Sequence, residues 1–176
     1  MSTTLLFNLP SDFNYTISGV CIAASILHFT GLLLAQTRAQ IFSRETTAKV
    51  QSEIQLKNPS TLDRIEVPTQ GYPDEGNGRF SKALGYYYWV KLNKAVRGFL
   101  NYNEQLMAFV IALFVYGLWH PYVAFWFGVV VAISRLVYFI GYAYLGPIVM
   151  MIGEIPALLI MFYCYGALIY HLIKGD

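Results

Sequence analysis

Apolar runs and polar stretches alternate along the chain in a pattern that predicts four membrane spans. The first run, ISGVCIAASILHFTGLLLAQ, covers about Ile17 to Gln36; the second ends at Trp119. The third covers about Tyr122 to Leu145 and the fourth about Ile148 to Ile173. A helix crossing a hydrocarbon core of about 30 Å needs roughly 20 residues at 1.5 Å each. The breaks WHPY and LGP are short and contain proline, which ends a helix, so spans 2 to 4 form an antiparallel hairpin series. The expected fold class is an all-α membrane protein, an antiparallel four-transmembrane-helix bundle making one domain of residues 1–176.

Residues 39–91 interrupt the pattern as a polar insert between spans 1 and 2. Within it SRETTAKVQSEIQLKN predicts a short surface helix, and NPSTLDRIEVPTQGYPDEGNGRF, rich in turn residues, predicts irregular chain. An even number of spans puts both termini on one side of the membrane and the insert on the other. Charge agrees with that topology. Ten of the twelve Lys and Arg lie between Arg38 and Arg97, which places the insert on the cytoplasmic or matrix side. Composition removes the soluble alternative: 56% of residues are hydrophobic and 12% charged, against about 25% charged in soluble domains. No Lys or Arg precedes Arg38, so neither a basic signal-peptide start nor an Arg-rich transit peptide is expected. The first run is then expected to remain as an anchor, in the endoplasmic reticulum or the mitochondrial inner membrane. Tyr86, Tyr87, Tyr88 and Trp89, with Lys91 and Lys94, read as an interfacial belt. Cys21 and Cys164 read as small buried hydrophobes and His28 as a partner in an interhelical hydrogen bond. No spacing suggests a metal site, and nothing suggests nucleic-acid binding.

The second span carries the candidate chemistry. Its apolar part, Leu106 to Trp119, is only about 21 Å long as a helix, so the span must draw in LNYNEQ and with it Asn101 and Glu104. Arg97, Asn101 and Glu104 recur at i, i+4 and i+7 and share a face; so do Arg135, Tyr138 and Tyr142 on span 3, at i, i+3 and i+7. Counted from the connecting turn, Glu104 and Arg135 lie about 22 and 21 Å deep, and Asn101 and Tyr138 about 27 and 25 Å. Arg97 and Tyr142 lie about 33 and 31 Å deep, and Glu154 approaches the same level from span 4. Ionisable groups at such depth pair with each other or face a polar cavity. Glu104, Arg135 and Glu154 thus read either as ion-pair glue or, with Asn101 and the tyrosines, as the lining of a site.

These residues resemble the MAPEG family, the membrane-associated proteins in eicosanoid and glutathione metabolism. RGFLNYNE keeps the family's Arg, Asn and Glu spacing, and RLVYFIGY its Arg, Tyr and Tyr spacing. The second motif is similar above all to the leukotriene C synthase and microsomal glutathione transferase members. Arg38 in AQTRAQIF matches an arginine that closes the family's first span, and GYPDEGNGRFSKALGYYYW is similar to the insert of long-loop members. The resemblance covers about Ile17 to Ile173.

What the resemblance implies is a homotrimer with glutathione as cosubstrate, bound between subunits, and a lipophilic small molecule as second substrate. Arg38 and Arg97 would clamp its carboxylates, Glu104 accept its ammonium and Asn101 bond its peptide. Arg135 would hold Glu104 in place, and Tyr138 and Tyr142 would line the site. The chain departs from the family where its enzymes carry a thiol-activating arginine: Val149, Met150 and Met151 stand there. It also has RGFLN where enzymes tend to carry a histidine. Three activities follow as expectations. One is a glutathione transferase or peroxidase, and another a non-enzymatic lipid-binding or scaffold member. The third is an accessory subunit of a larger membrane complex, a mitochondrial one included.

Overall fold

The computed structural model describes residues 10–57 and 67–175, and every regular element among them is helical. The expected irregular residues 58–66 of the insert lie outside that range. Four helices are long and apolar enough to cross a membrane, as the pattern predicts: α1 (Phe13–Ile41), α4 (Tyr86–Tyr116), α5 (Pro121–Ile140, continued by a π turn over Gly141–Leu145) and α6 (Pro147–Lys174). The chain is an integral, multi-pass membrane protein. Between α1 and α4 come α2 (Arg44–Lys57), where the surface helix was expected, and the single turn α3 (Arg79–Lys82). The spanning helices are longer than their apolar runs. α1 takes residues 39–41 and α4 takes residues 86–91 from the predicted insert.

Proline sets both tight reversals. Pro121 and Pro147 stand at the first turns of α5 and α6, where a missing N–H leaves no helical bond unmade. Gly146 divides α5 from α6 with φ 106°, a conformation that other residues rarely adopt. Before it, the amide of Gly146 bonds back to Gly141 O at 2.7 Å and closes the π turn.

Within the bundle α1 packs on α5 and α4, and α6 packs on α5 and α4. Buried Ala23, Tyr102, Phe109, Leu113, Val131 and Ala157 make its centre. Hydrogen bonds cross the helices there: the Tyr102 hydroxyl donates to Ala23 O, and Tyr165 donates to Ala108 O at 3.0 Å. On the outside, Leu159, Phe162 and Ile173 are 64%, 65% and 81% exposed, a surface suited to lipid rather than water. Cys164 is buried as expected, whereas Cys21 faces outward on α1. His28 is also exposed, with no hydrogen bond among the described residues, so it does not act as the interhelical partner that was expected.

The insert folds down on the end of α1. Ile41, Phe42, Val50, Ile54, Leu84 and Leu92 form a second apolar cluster that joins α2 to the start of α4. Buried Asp74 organises the chain leading to α3. Its carboxylate accepts from the backbone amides of Gly76 and Gly78 at 2.9 Å and of Ser81 at 2.7 Å, and from Ser81 Oγ at 2.9 Å. Burial alone would push the Asp74 carboxyl up, but these four donors outweigh it and hold it below the usual carboxylate range.

Candidate functional site

The polar residues of α4 divide between two faces. Tyr102, Phe109, Leu113 and Tyr116 point into the bundle. Gln105 lies three residues after Tyr102 and four before Phe109, so it turns inward with them. Arg97, Glu104, Met107, Ile111 and Phe114 are exposed and run as a stripe along the outer side of the subunit. Asn101 is half-buried at the seam between the two faces.

Arg135 of α5 is fully buried, and of its two expected carboxylate partners it meets Glu154 and not Glu104. Its Nη1 donates to Glu154 Oε2 of α6 at 2.6 Å, and its Nη2 donates to Gln105 Oε1. The Phe109 ring stands 4.6 Å from the guanidinium carbon, and Nε has no hydrogen-bond partner among the described residues. The ion-pair reading thus holds for Arg135 and Glu154, while Gln105 takes the place expected of Glu104. The cause is azimuth: Glu104 and Gln105 differ by only about 1.5 Å in depth but by about 100° around the helix. Gln105 went unrecognised in the sequence, although its phase with Tyr102 and Phe109 was there to read.

One rung of the predicted ladder closes. Asn101 Nδ2 donates to the Tyr138 hydroxyl at 2.5 Å, joining α4 to α5 beside the exposed stripe. Tyr142, half-buried, follows on the same face, its ring 5.8 Å from that of Tyr138. Gly153 of α6 fixes this part of α5 from behind: a Cβ there would collide with the backbone of Tyr138. Arg97 and Glu104 flank the rung from outside, and among the described residues neither has a hydrogen bond or an ion pair. Seven residues separate them, about 10 Å along the axis.

Arg38 sits apart from this group, at the base of the insert and 1% exposed. Its Nε donates to Gln70 O at 3.0 Å and its Nη2 to Asp74 O at 2.5 Å, and the Tyr72 ring lies over the guanidinium at 4.0 Å. At the other departure from the resemblance, Val149 and Met150 are half-buried and Met151 is exposed, with no cation at the start of α6. Among the described residues no group of His, Cys, Asp and Glu is placed to hold a metal ion.

Comparison with known proteins gives a single result. A family model, described as the MAPEG family, matches residues 16–173. No curated protein and no solved structure matches the chain.

Proposed function

The chain belongs to the MAPEG family of membrane proteins of glutathione and eicosanoid metabolism, and from that premise we propose that it binds glutathione on the outward face of α4. The bound thiol would serve transferase- or peroxidase-type chemistry on lipophilic electrophiles. The observation that carries this reading is the unpaired state of Arg97 and Glu104. The 31 residues of α4 make a helix of about 46 Å, longer than a core of about 30 Å. Measured from Tyr116, Glu104 lies about 18 Å in, near the middle of the core, and Arg97 about 28 Å in, at its edge. Charges left facing lipid at that depth cost several kcal/mol, so the stripe requires a polar covering. A neighbouring subunit with glutathione between supplies one, and the proposed assembly is a homotrimer.

Glutathione fits the arrangement. Three extended residues reach about 10 Å, the axial separation of Arg97 and Glu104. The Arg97 guanidinium would take a carboxylate and the Glu104 carboxylate the ammonium, with Asn101, held by Tyr138, at the peptide between. Arg38 is committed to the insert, so Arg97 carries the larger share of carboxylate recognition in this reading.

Turnover needs a stabilised thiolate, since the thiolate is the nucleophile. The apolar start of α6 favours a second reading, in which the protein binds glutathione or lipid without catalysis and works as a scaffold or accessory subunit. Calorimetric titration of the detergent-solubilised protein with glutathione, beside a conjugation assay with a chlorodinitrobenzene-type substrate, separates the readings. Binding with conjugation is expected. Binding without it leaves the scaffold reading, and absence of binding overturns the glutathione site. Migration on a native gel, as a small oligomer or within a large assembly, then distinguishes trimer from accessory subunit.

A further inference from the structure

A groove of about 480 Å³ opens on the insert side of the same helix, outside the site just described. Tyr87, Val90, Lys91 and Lys94 of α4 form one wall; Ala143 and Tyr144 of the π turn form the other. Tyr144 is held in position, its hydroxyl 2.5 Å from Thr37 Oγ1 of α1. Measured from Tyr116, Lys94 lies about 33 Å and Lys91 about 37 Å along the helix axis. Both therefore pass the edge of a 30 Å core and fall in the headgroup layer, which takes a bilayer to about 40–45 Å.

Charge and shape together narrow the occupant. Among the described residues Lys91 Nζ donates only to the neutral Gln40 Oε1, at 3.2 Å, and neither lysine belongs to an ion pair. Among the described residues no carboxylate lines the groove. A small inorganic anion would leave Val90, Ala143 and the tyrosine rings in contact with nothing. A zwitterionic lipid would bring a choline next to two ammonium groups. We propose that the groove binds one acidic phospholipid, with its phosphate between Lys91 and Lys94. The glycerol and first acyl carbons lie against Val90, Ala143 and Tyr144. The excess of Lys and Arg around the insert directs this end to the cytoplasmic or matrix leaflet, where basic pockets meet acidic headgroups. Arg97 and Glu104 do not line the groove, so the lipid site stands without the glutathione site.

The test is native mass spectrometry of the full chain in neutral detergent, titrated with short-chain phosphatidylserine, phosphatidylcholine, inorganic phosphate or glutathione. One phosphatidylserine should bind per subunit, at least tenfold more tightly than phosphatidylcholine. Each lysine near an anionic headgroup contributes about fivefold, so Lys91→Ala with Lys94→Ala should weaken binding on the order of 25-fold. Lys91→Arg with Lys94→Arg should retain it and guards against a folding artefact. Equal affinity for the two lipids, or an unchanged alanine variant, overturns the proposal. So does displacement of the lipid by inorganic phosphate, which marks a general anion site, or by glutathione, which makes the groove part of the glutathione site.

Discussion

Two neighbouring residues of α4, Glu104 and Gln105, stand at nearly one depth in the membrane and meet opposite fates. Gln105 turns into the bundle and joins Arg135 and Glu154 in a buried polar cluster. Glu104 turns outward beside Arg97 and finds no hydrogen-bond or ion-pair partner among the described residues. Inside, the polar groups pair with one another, Arg135 Nε excepted, and hold three helices together. Outside, they are left open at a place where lipid cannot satisfy them. The difference teaches that depth alone does not make a candidate site in a membrane helix; an unpaired charge turned outward does.

The strongest way to break the comparison is to remove the centre of the inner cluster. Arg135→Ala leaves Glu154 without its cation and Gln105 without its donor inside the bundle, and should destabilise the protein by about 3–5 kcal/mol. The thermal midpoint in detergent reads this directly. Replacing both charges by apolar residues, Arg135→Met with Glu154→Leu, should recover most of the loss, because a packed apolar pair is often as stable as a buried ion pair. A double variant as unstable as Arg135→Ala would mean that the cluster does more than join helices.

Much of this was legible in the sequence, and what was not has a definite cause. Four spans, the Pro-marked reversals and the α2 helix follow from run length and turn residues. The Asn101–Tyr138 contact followed from equal depth on adjacent spans. The same depth count chose Glu104 over Gln105 for Arg135, because it measures rise and ignores rotation. Tyr102 and Phe109 fix the rotation once they are recognised as buried. Arg38 looks open to a ligand in the sequence because nothing local shows that Gln70 and Asp74, more than thirty residues on, return their carbonyls to it.

That returning segment supplies a control for the comparison, since Asp74 is a buried carboxylate satisfied by the aqueous-side insert rather than by the membrane bundle. Asp74→Ala would leave three backbone amides without their acceptor and should loosen the insert by roughly 1–3 kcal/mol. pH should act in the same way. The Asp74 carboxyl is held below its usual range, so its contribution is fully present above the unfolded value of about 3.9 and is lost as pH falls through the lower folded value. Cleavage of the insert by an acid-active protease should rise steeply below about pH 4 in the parent protein and already be high at pH 5 in Asp74→Ala.

On the outer stripe the expected signs reverse. Glu104→Ala should reduce glutathione affinity at least tenfold, about 1.4 kcal/mol, while stability shifts by no more than about 0.5 kcal/mol. Unchanged affinity with a lowered midpoint would turn Glu104 into a structural residue and erase the distinction between the faces.

Tyr138 tests the seam where the two regions meet, with the smallest expected effect. Its backbone is pressed by Gly153 on the bundle side, while its hydroxyl accepts from Asn101 on the site side. Tyr138→Phe keeps the ring and removes only that acceptor. One hydrogen bond is worth about 1 kcal/mol, so glutathione should bind about fivefold more weakly, with Asn101 free to rotate away from the peptide. Asn101→Ala should then add little to Tyr138→Phe, giving a double-mutant coupling of about 1 kcal/mol. Gly153→Ala, in contrast, must move the Tyr138 backbone and should lower stability and affinity together. A coupling near zero would mean that the amide and the hydroxyl meet glutathione independently, and that the packed side of α5 does not set the geometry of the open one.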